Sequence, residues 1–304
     1  EISLGLVGSE MCIRDREYYH IVAILVVMVW GMTFISTKIL IGHGLSPQDI
    51  FFFRFLLAYI GIWVVSPRQF FAQTLKDELY LFGAGISGGS LFFFLQNMAL
   101  EITQVSNVSF IICTSPLLTM ILTVIFFRVE KITKGFIYGL LGVGLVVFNG
   151  GIILKISPLG DLLSLLASLL WDFYSIIIQQ VSSKYSPLFI IRKIFFYGII
   201  TILPTFLLRP IKLELSVLLD SAVLTNLLFL GIIASLVCYL LWNIVLRQLG
   251  TIRASNYLYL NPLATMVGAM CFLHERITPF ALVGITLVLL GVYKATNSSV
   301  KGKK

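Results

Sequence analysis

The chain has 304 residues, of which 58% are hydrophobic and only 12% are charged, and its formal net charge is +8. Soluble domains are about 45–50% apolar and about 25% charged, so this composition excludes a soluble globular protein and indicates many membrane spans. The positive charge does not indicate nucleic-acid binding, because the basic residues lie in short loops between apolar runs, where they set membrane topology.

The first 17 residues differ from the rest of the chain. They contain no sustained apolar run and no organisation typical of a secretory signal peptide. We therefore predict that residues 1–17 form a non-native or disordered leader and that the fold begins at residue 18.

Ten apolar runs follow, each close to the roughly 17–25 residues that a transmembrane helix needs. They cover residues 18–41, 49–65, 78–98, 104–126, 134–150, 160–181, 187–208, 223–244, 251–273 and 279–296. The intervening loops are short and are marked by glycine, proline and serine. The sequence therefore predicts an all-α membrane protein with ten transmembrane helices, followed by a basic tail at 297–304.

The second half of the sequence repeats the first. Pro116 in SPLLTM returns as Pro262 in NPLATM 146 residues later, and Asn97 and Asn243 share that offset. EKIT after the fourth run likewise returns as ERIT after the ninth. Self-similarity at a fixed spacing indicates a duplicated unit. We predict a first repeat over residues 18–150 and a second over residues 151–296.

The distribution of lysine and arginine predicts the orientation in the membrane. With a cytoplasmic N-terminus, twelve basic residues after the leader lie on the cytoplasmic side and four on the outer side. The positive-inside rule then places both termini in the cytoplasm. Because each repeat holds five spans, an odd number, the two repeats are predicted to be inverted, an architecture of secondary transporters whose substrate site lies at the midplane.

Three charged residues within the spans are candidates for function. Asp172 lies near the centre of the sixth predicted span, where an ionisable group is functional by default: it could contact a substrate amine or couple transport to protons, or pair structurally with a basic or amide group. Lys38 and Arg54 lie a few residues from the predicted outer surface. Their side chains either snorkel to water or form a cationic entrance for anionic or carboxylate substrates.

Aromatic, amide and proline residues form a second set of candidates. The residues proposed to line a mostly apolar substrate cavity are Trp30, Asn97, Trp171, Tyr239, Asn243 and Asn256. Trp30 and Trp171 lie at mid-span, which an interfacial aromatic belt explains poorly, although ordinary helix packing is an alternative. Pro116 and Pro262 are predicted to kink the fourth and ninth spans towards a shared pathway, or to serve packing alone.

The sequence contains no arrangement typical of an enzyme or of a primary pump. It has no nucleophile–base pairing, no H-E-x-x-H motif and no Walker-type phosphate loop, and its four cysteines show no metal-ligand spacing. We therefore predict no enzymatic activity, no cofactor and no metal site, and we exclude ATP-driven transport by this chain alone.

Several runs resemble the EamA family of the drug/metabolite transporter superfamily. They are WGMTFISTK in the first span, SP…FFFRFLLA in the second, and ALEITQVSNVSFIICTSPLLTMILTVIFFRVEKIT with its copy ending in FLHERIT. The resemblance covers essentially residues 18–296 and implies ten helices in inverted five-helix repeats, cytoplasmic termini and carrier-type transport, often export of amino acids or other small metabolites. RVEKIT lacks the Gly-Glu dipeptide common in the family, and Asp172 stands where the family is often less polar, so the substrate stays open.

Together these features predict a permease of the bacterial cytoplasmic membrane that moves small molecules, with export favoured, by alternating access. Its partners would be the substrate, the lipid bilayer and a proton or other coupling ion, without nucleic acid. The cavity is predicted to be lined by spans 1, 3, 4, 6, 8 and 9. A membrane-embedded ligand-binding sensor without net transport is the alternative, and an intramembrane enzyme is disfavoured by the missing catalytic groups. The direction, coupling ion and oligomeric state are left open.

Overall fold

A computed structural model describes a large part of the chain. The described residues are 2–66, 69–103, 105–116, 118–119, 122, 137–138, 141, 157–208, 210, 215–273, 283, 286–287 and 289–291. The tail at 297–304 lies outside these residues. So do most of the predicted fifth and tenth spans and most of the second half of the fourth. The predicted count of ten helices in two inverted repeats therefore stays a prediction.

Regular secondary structure in the described residues is helical, without strands. The helices are α1 (Ile2–Gly42), α2 (Pro47–Val65), α3 (Leu75–Gly85), α4 (Phe92–Ile102), α5 (Val105–Ile112), α6 (Pro158–Val181), α7 (Pro187–Ile202), α8 (Ser221–Leu228), α9 (Cys238–Leu249) and α10 (Asn261–Leu273). Short helical turns cover Thr205–Leu208, Leu215–Leu218 and Thr251–Ser255, and a 3₁₀ segment, Asn256–Leu260, leads into α10.

Six stretches of the described chain are long and apolar enough to cross a bilayer. They are Tyr18–Gly42, Pro47–Val65, Leu75–Ile102, Pro158–Val181, Pro187–Leu207 and Ser221–Leu249. They correspond to the first, second, third, sixth, seventh and eighth predicted spans. The helix of the first span continues back to Ile2, and the non-native character of residues 1–17 stays a prediction.

Two helices begin where Ser-Pro pairs in the sequence indicate a start. The Ser46 hydroxyl accepts a hydrogen bond from the Asp49 amide, and the Asp49 carboxylate accepts one from the Ser46 amide, so a capping box opens α2. The Ser186 hydroxyl accepts from the Phe189 amide at the start of α7. Each cap is followed by proline at the first helical position, where the missing N–H costs nothing.

Helices from the two halves of the sequence pack against each other. Helix α1 packs along α10 and α9, α6 packs along α4 and α5, and α2 packs against α7. The largest buried side chains are mostly aromatic and include Trp242, Tyr174, Tyr239 and Phe55. The hydrophobic core therefore lies between the two halves.

A π-helical segment interrupts each of two long spans. Ile86–Leu91 joins α3 to α4, and Phe229–Val237 joins α8 to α9. Such wide turns are rare and often occur at functional sites, because they disturb the regular backbone hydrogen bonds. Within them, the Gly88 carbonyl accepts a hydrogen bond from the Tyr239 hydroxyl, and the Ala234 carbonyl accepts one from Trp30 Nε1 at 2.9 Å. The two segments thus bind aromatic side chains of the core through carbonyls 146 residues apart.

Candidate functional site: a central cavity

An aromatic cluster joins three helices at the centre of the molecule. The ring centroids of Trp30 in α1 and Trp171 in α6 are 5.2 Å apart with perpendicular planes. Trp242 in α9 lies 5.1 Å from Trp30, and Tyr239 lies 5.8 Å from Trp171. Edge-to-face pairs of this kind are stabilising beyond the area they bury. Three of the sequence-predicted residues, Trp30, Trp171 and Tyr239, are thereby brought together.

A cavity adjoins this cluster. The described residues that line it are Trp30, Thr33, Phe34, Arg54, Phe92, Phe93, Gln96, Ile112, Trp171, Leu258 and Asn261. None of these residues is more than 8% exposed. Small-molecule pockets are mostly apolar with a few polar groups. The cavity therefore has the lining of a site for a small organic molecule.

The cavity wall differs from the predicted one in two helices. Arg54 brings the second span into the wall, although that span was not expected there. The eighth span was expected to line the cavity through Tyr239 and Asn243, but neither residue is among the described lining residues. Thr33, Gln96 and Asn261 are polar lining residues that the sequence interpretation missed. Asn261 directly precedes Pro262, but only its place in the structure distinguishes it from the other span amides.

Arg54 places a buried positive charge in the cavity wall. It is 1% exposed, and its Nε donates a hydrogen bond to Ser235 Oγ at 2.9 Å. Its guanidinium carbon lies 4.1 Å from the centroid of the Phe93 ring, and its Nη1 has no hydrogen-bond partner within the described chain. A buried charge costs free energy unless it is paired. The geometry therefore favours the cationic-site interpretation of Arg54 over snorkelling.

Lys38 has a different position. It is exposed, and its Nζ donates to the carbonyl of Leu100, at the end of α4, at 2.6 Å. Its ammonium group thus stabilises a helix C-terminus, where carbonyls lack intrahelical partners. Lys38 is not among the cavity residues in the described part of the chain.

Asp172 lies beside the cavity, facing the chain that follows α5. It is fully buried, and its Oδ1 accepts hydrogen bonds from the hydroxyls of Ser115 and Thr119, the latter at 2.7 Å. The Thr119 hydroxyl is 3.1 Å from Ser255 Oγ. No described residue pairs with Asp172 Oδ2, and no ion pair of Asp172 occurs among the described residues. Polar hydroxyls, rather than a basic side chain, surround this carboxylate.

The three predicted asparagines are buried, and two of them hold helices together. Asn97 Nδ2 donates to the Pro47 carbonyl at 3.1 Å. Asn243 Nδ2 donates to the Tyr174 hydroxyl at 2.7 Å and to the Tyr239 carbonyl at 2.9 Å. Asn256 is 7% exposed in the 3₁₀ segment. None of the three belongs to the described cavity wall, so their contribution to binding stays a prediction.

The helix is interrupted immediately before each of the two prolines. Helix α5 ends at Ile112 and a turn precedes Pro116, whereas the 3₁₀ segment Asn256–Leu260 precedes Pro262. Proline has no N–H to bond the carbonyl four residues before it, that of Ile112 or of Leu258, which accounts for such breaks. Ile112, Leu258 and Asn261 line the cavity at these two interruptions.

A charged cluster lies where the start of α3 meets α7 and the turn before α7. Lys184 Nζ is 2.7 Å from Asp77 Oδ1, Lys193 forms an ion pair with Glu78, and the Tyr185 hydroxyl donates to Asp77 at 3.0 Å. The hydrogen bond to the Asp77 carboxylate raises the pKa of the Lys184 ammonium. These contacts join the two halves of the chain.

Comparison with known proteins identifies the relatives of this chain. The model of the EamA-like transporter family matches residues 18–149 and 158–296. An uncharacterized transporter of Archaeoglobus fulgidus is 27% identical over 282 residues, which are 91% of this chain and 96% of that protein. A "Probable amino-acid metabolite efflux pump" of Escherichia coli K12 is 24% identical over 90% of this chain and 93% of its own length. One crystal structure shares the fold, with a TM-score of 0.70, 14% identity and coverage of 96% of this chain and 99% of that one.

Proposed function

Because the chain belongs to the EamA-like transporter family and is an integral membrane transporter, we propose that it is a secondary transporter that exports small metabolites by alternating access. The observation that carries this proposal is the cavity lined by buried aromatic residues between helices of both sequence halves. Relatives named as amino-acid metabolite efflux pumps support export and a substrate related to amino acids. Asp172 is proposed as the group that couples export to protons.

The alternating movement is proposed to separate α3 from α7. The ion pair of Glu78 with Lys193 links α3 to α7, and that of Asp77 with Lys184 links α3 to the turn before α7. The two helices belong to different predicted repeats. The paired tryptophans and the two π-helical segments support the proposal that inverted repeats rock around the cavity. Opening at this end requires the ion pairs to separate, and this end is proposed to face the cytoplasm, in keeping with the positive-inside rule.

The transport proposal is tested with the full chain reconstituted in lipid vesicles. Vesicles loaded with a mixture of small metabolites are expected to release at least one of them faster than protein-free vesicles, and faster still under a proton gradient. Cells with and without the protein supply the candidate mixture through a comparison of the metabolites that they excrete. A chain that binds a metabolite but moves none would instead be a sensor.

Removal of the charge on Glu78 is expected to favour opening at the α3–α7 end. Lys193 and Glu78 are 5% and 17% exposed, and loss of a largely buried ion pair changes a conformational equilibrium by about 1–3 kcal/mol, or roughly 5- to 150-fold. We expect Glu78→Gln to accelerate, by at least 5-fold, alkylation of a cysteine introduced by Ser87→Cys. A hydrophilic maleimide applied from the α3–α7 side measures this rate.

Lys184→Gln is the matched control for the Glu78 variant. The Lys184 side chain is 51% exposed, and exposed ion pairs contribute only about 0–1 kcal/mol. We therefore expect a smaller change in the rate of alkylation. Equal rates in Glu78→Gln and in the protein with Glu78 intact would show that this ion pair does not hold the end closed.

A further inference from the structure

We propose that Arg54 binds the carboxylate of the transported molecule, and that this molecule is a 2-hydroxy or N-acyl monocarboxylate with an aromatic or branched apolar body. This proposal rests on the proposed transport function, because it assigns the substrate class to the same cavity. It differs from recognition of a free amino acid, since it requires no ammonium group on the ligand.

The state of the Arg54 guanidinium is the first argument. The hydrogen bond from Nε to Ser235 and the contact with the Phe93 ring set its position. The residue is 1% exposed, and its Nη1 has no partner within the described chain. It forms no ion pair within the described chain. A planar guanidinium binds a carboxylate through two parallel hydrogen bonds. A ligand carboxylate in the cavity would supply both the missing acceptor and the missing negative charge.

Trp171 supplies a second unpaired donor. Trp30 and Trp171 are 141 residues apart at matching places in the two sequence halves, and Trp30 Nε1 donates to the Ala234 carbonyl. The matching carbonyl, that of Gly88, is taken by the Tyr239 hydroxyl, and Trp171 Nε1 has no partner within the described chain. A buried donor without an acceptor costs free energy. Trp171 lines the cavity, so a ligand acceptor would satisfy its Nε1.

The remaining wall residues define the rest of the ligand. No described wall residue carries a negative charge, and Asp172, which lies beside the cavity, is not among the wall residues, so a ligand ammonium group would have no counter-charge in the wall. Asn261 Oδ1 is an unpaired acceptor at 5% exposure, and a neutral hydroxyl or amide N–H satisfies it without adding charge. Phe34, Ile112 and Leu258 offer apolar surface to an aromatic or branched body.

Ligand binding to the purified full chain tests this assignment. Trp30 and Trp171 lie in the cavity wall, so intrinsic tryptophan fluorescence is the measurement. Three probes are compared: 3-phenyllactate, its methyl ester and phenylalanine. We expect 3-phenyllactate to bind at least 10-fold more tightly than the other two, because the ester lacks the charge and the amino acid brings an unpaired ammonium group.

An Arg54 variant provides the second measurement. Hydrogen bonds to charged groups correspond to roughly 10- to 100-fold in affinity, so Arg54→Gln is expected to weaken 3-phenyllactate binding by that factor, and Arg54→Lys by less. Lys38→Gln, which removes an exposed cation outside the described cavity wall, is expected to leave binding unchanged. Thermal unfolding of each variant identifies any loss of fold, and the comparison of probes on the unaltered chain needs no variant.

The outcomes separate this assignment from the transport proposal. Equal affinity for 3-phenyllactate and its ester, tighter binding of phenylalanine, or undiminished binding by a folded Arg54→Gln variant would each overturn the carboxylate assignment. Export of a metabolite that lacks a carboxylate, independent of Arg54, would overturn it while leaving transport intact. Binding of 3-phenyllactate with the expected preference, but without movement across a vesicle membrane, would support the site and overturn transport.

Discussion

Substitution of Gly31 by alanine is expected to destabilise the packing of α1 against α10. A Cβ atom at Gly31 would lie 2.3 Å from Ala264 Cβ and 2.7 Å from the Asn261 carbonyl oxygen. Neither atom is the end of a flexible side chain, so the helices must separate. Overpacking of this kind costs about 1–3 kcal/mol or more, which outweighs the roughly 1 kcal/mol that alanine gains over glycine within a helix. Leucine at this position should prevent the helices from packing.

Thermal unfolding in detergent measures this effect, with Gly42→Ala as the control. A Cβ at Gly42, the last residue of α1, meets no atom within 4 Å, so that variant is expected to unfold at an unchanged or slightly higher temperature. Because Asn261 lines the cavity, Gly31→Ala should also weaken ligand binding. Equal unfolding temperatures for the two variants would contradict the close approach of α1 to α10.

Substitution of Asp172 by asparagine is expected to abolish the dependence of transport on a proton gradient. The amide oxygen of asparagine can still accept from Ser115 and Thr119, so the local hydrogen bonds are retained. An amide cannot take up or release a proton, whereas a carboxylate can. The described groups that bond to Asp172 are hydroxyls. None of these partners is a basic side chain that could take up the proton in place of Asp172.

Vesicle transport with and without an imposed proton gradient measures this effect. The unaltered protein should transport at least 10-fold faster with the gradient, and Asp172→Asn should show the same rate in both conditions. Asp161→Asn, in the first turn of the same helix α6, serves as the control and should keep the gradient dependence. Persistence of gradient-driven transport in Asp172→Asn would show that Asp172 is not the coupling group.

The membrane character, the family and the helices were predictable because their signals are local. A long apolar run can satisfy its backbone in a bilayer only as a helix or a closed barrel, and Ser46–Pro47 and Ser186–Pro187 indicate where two helices begin. The family match over residues 18–149 and 158–296 confirms the resemblance inferred from WGMTFISTK and its companion runs. Trp30 and Trp171 were both predicted to line one cavity, and their ring centroids lie 5.2 Å apart.

The cavity wall was less predictable because hydropathy does not reveal how a helix is rotated. Arg54 lies near a predicted span end, which favoured snorkelling, yet it faces inward because α2 packs against α7 and the second π-helical segment. The π-helical segments have no established sequence signal, and they explain why Tyr239 and Trp30 donate to backbone carbonyls. The side-chain amides of Asn97 and Asn243 donate to Pro47 and Tyr174, and the predicted part of these two residues in ligand binding stays a prediction.

The sequence by itself therefore determined that this protein is a helical membrane transporter of the EamA-like family, because composition, run length and motif order are properties of contiguous residues. Only the tertiary structure decided which polar groups meet. Arg54 and Ser235 are 181 residues apart, and Asp172 and Ser115 are 57 apart. Whether such residues pair, face the cavity or stay unpaired depends on the packing of distant helices, and this packing leaves Arg54 Nη1, Trp171 Nε1 and Asn261 Oδ1 as unpaired groups on residues of one cavity wall.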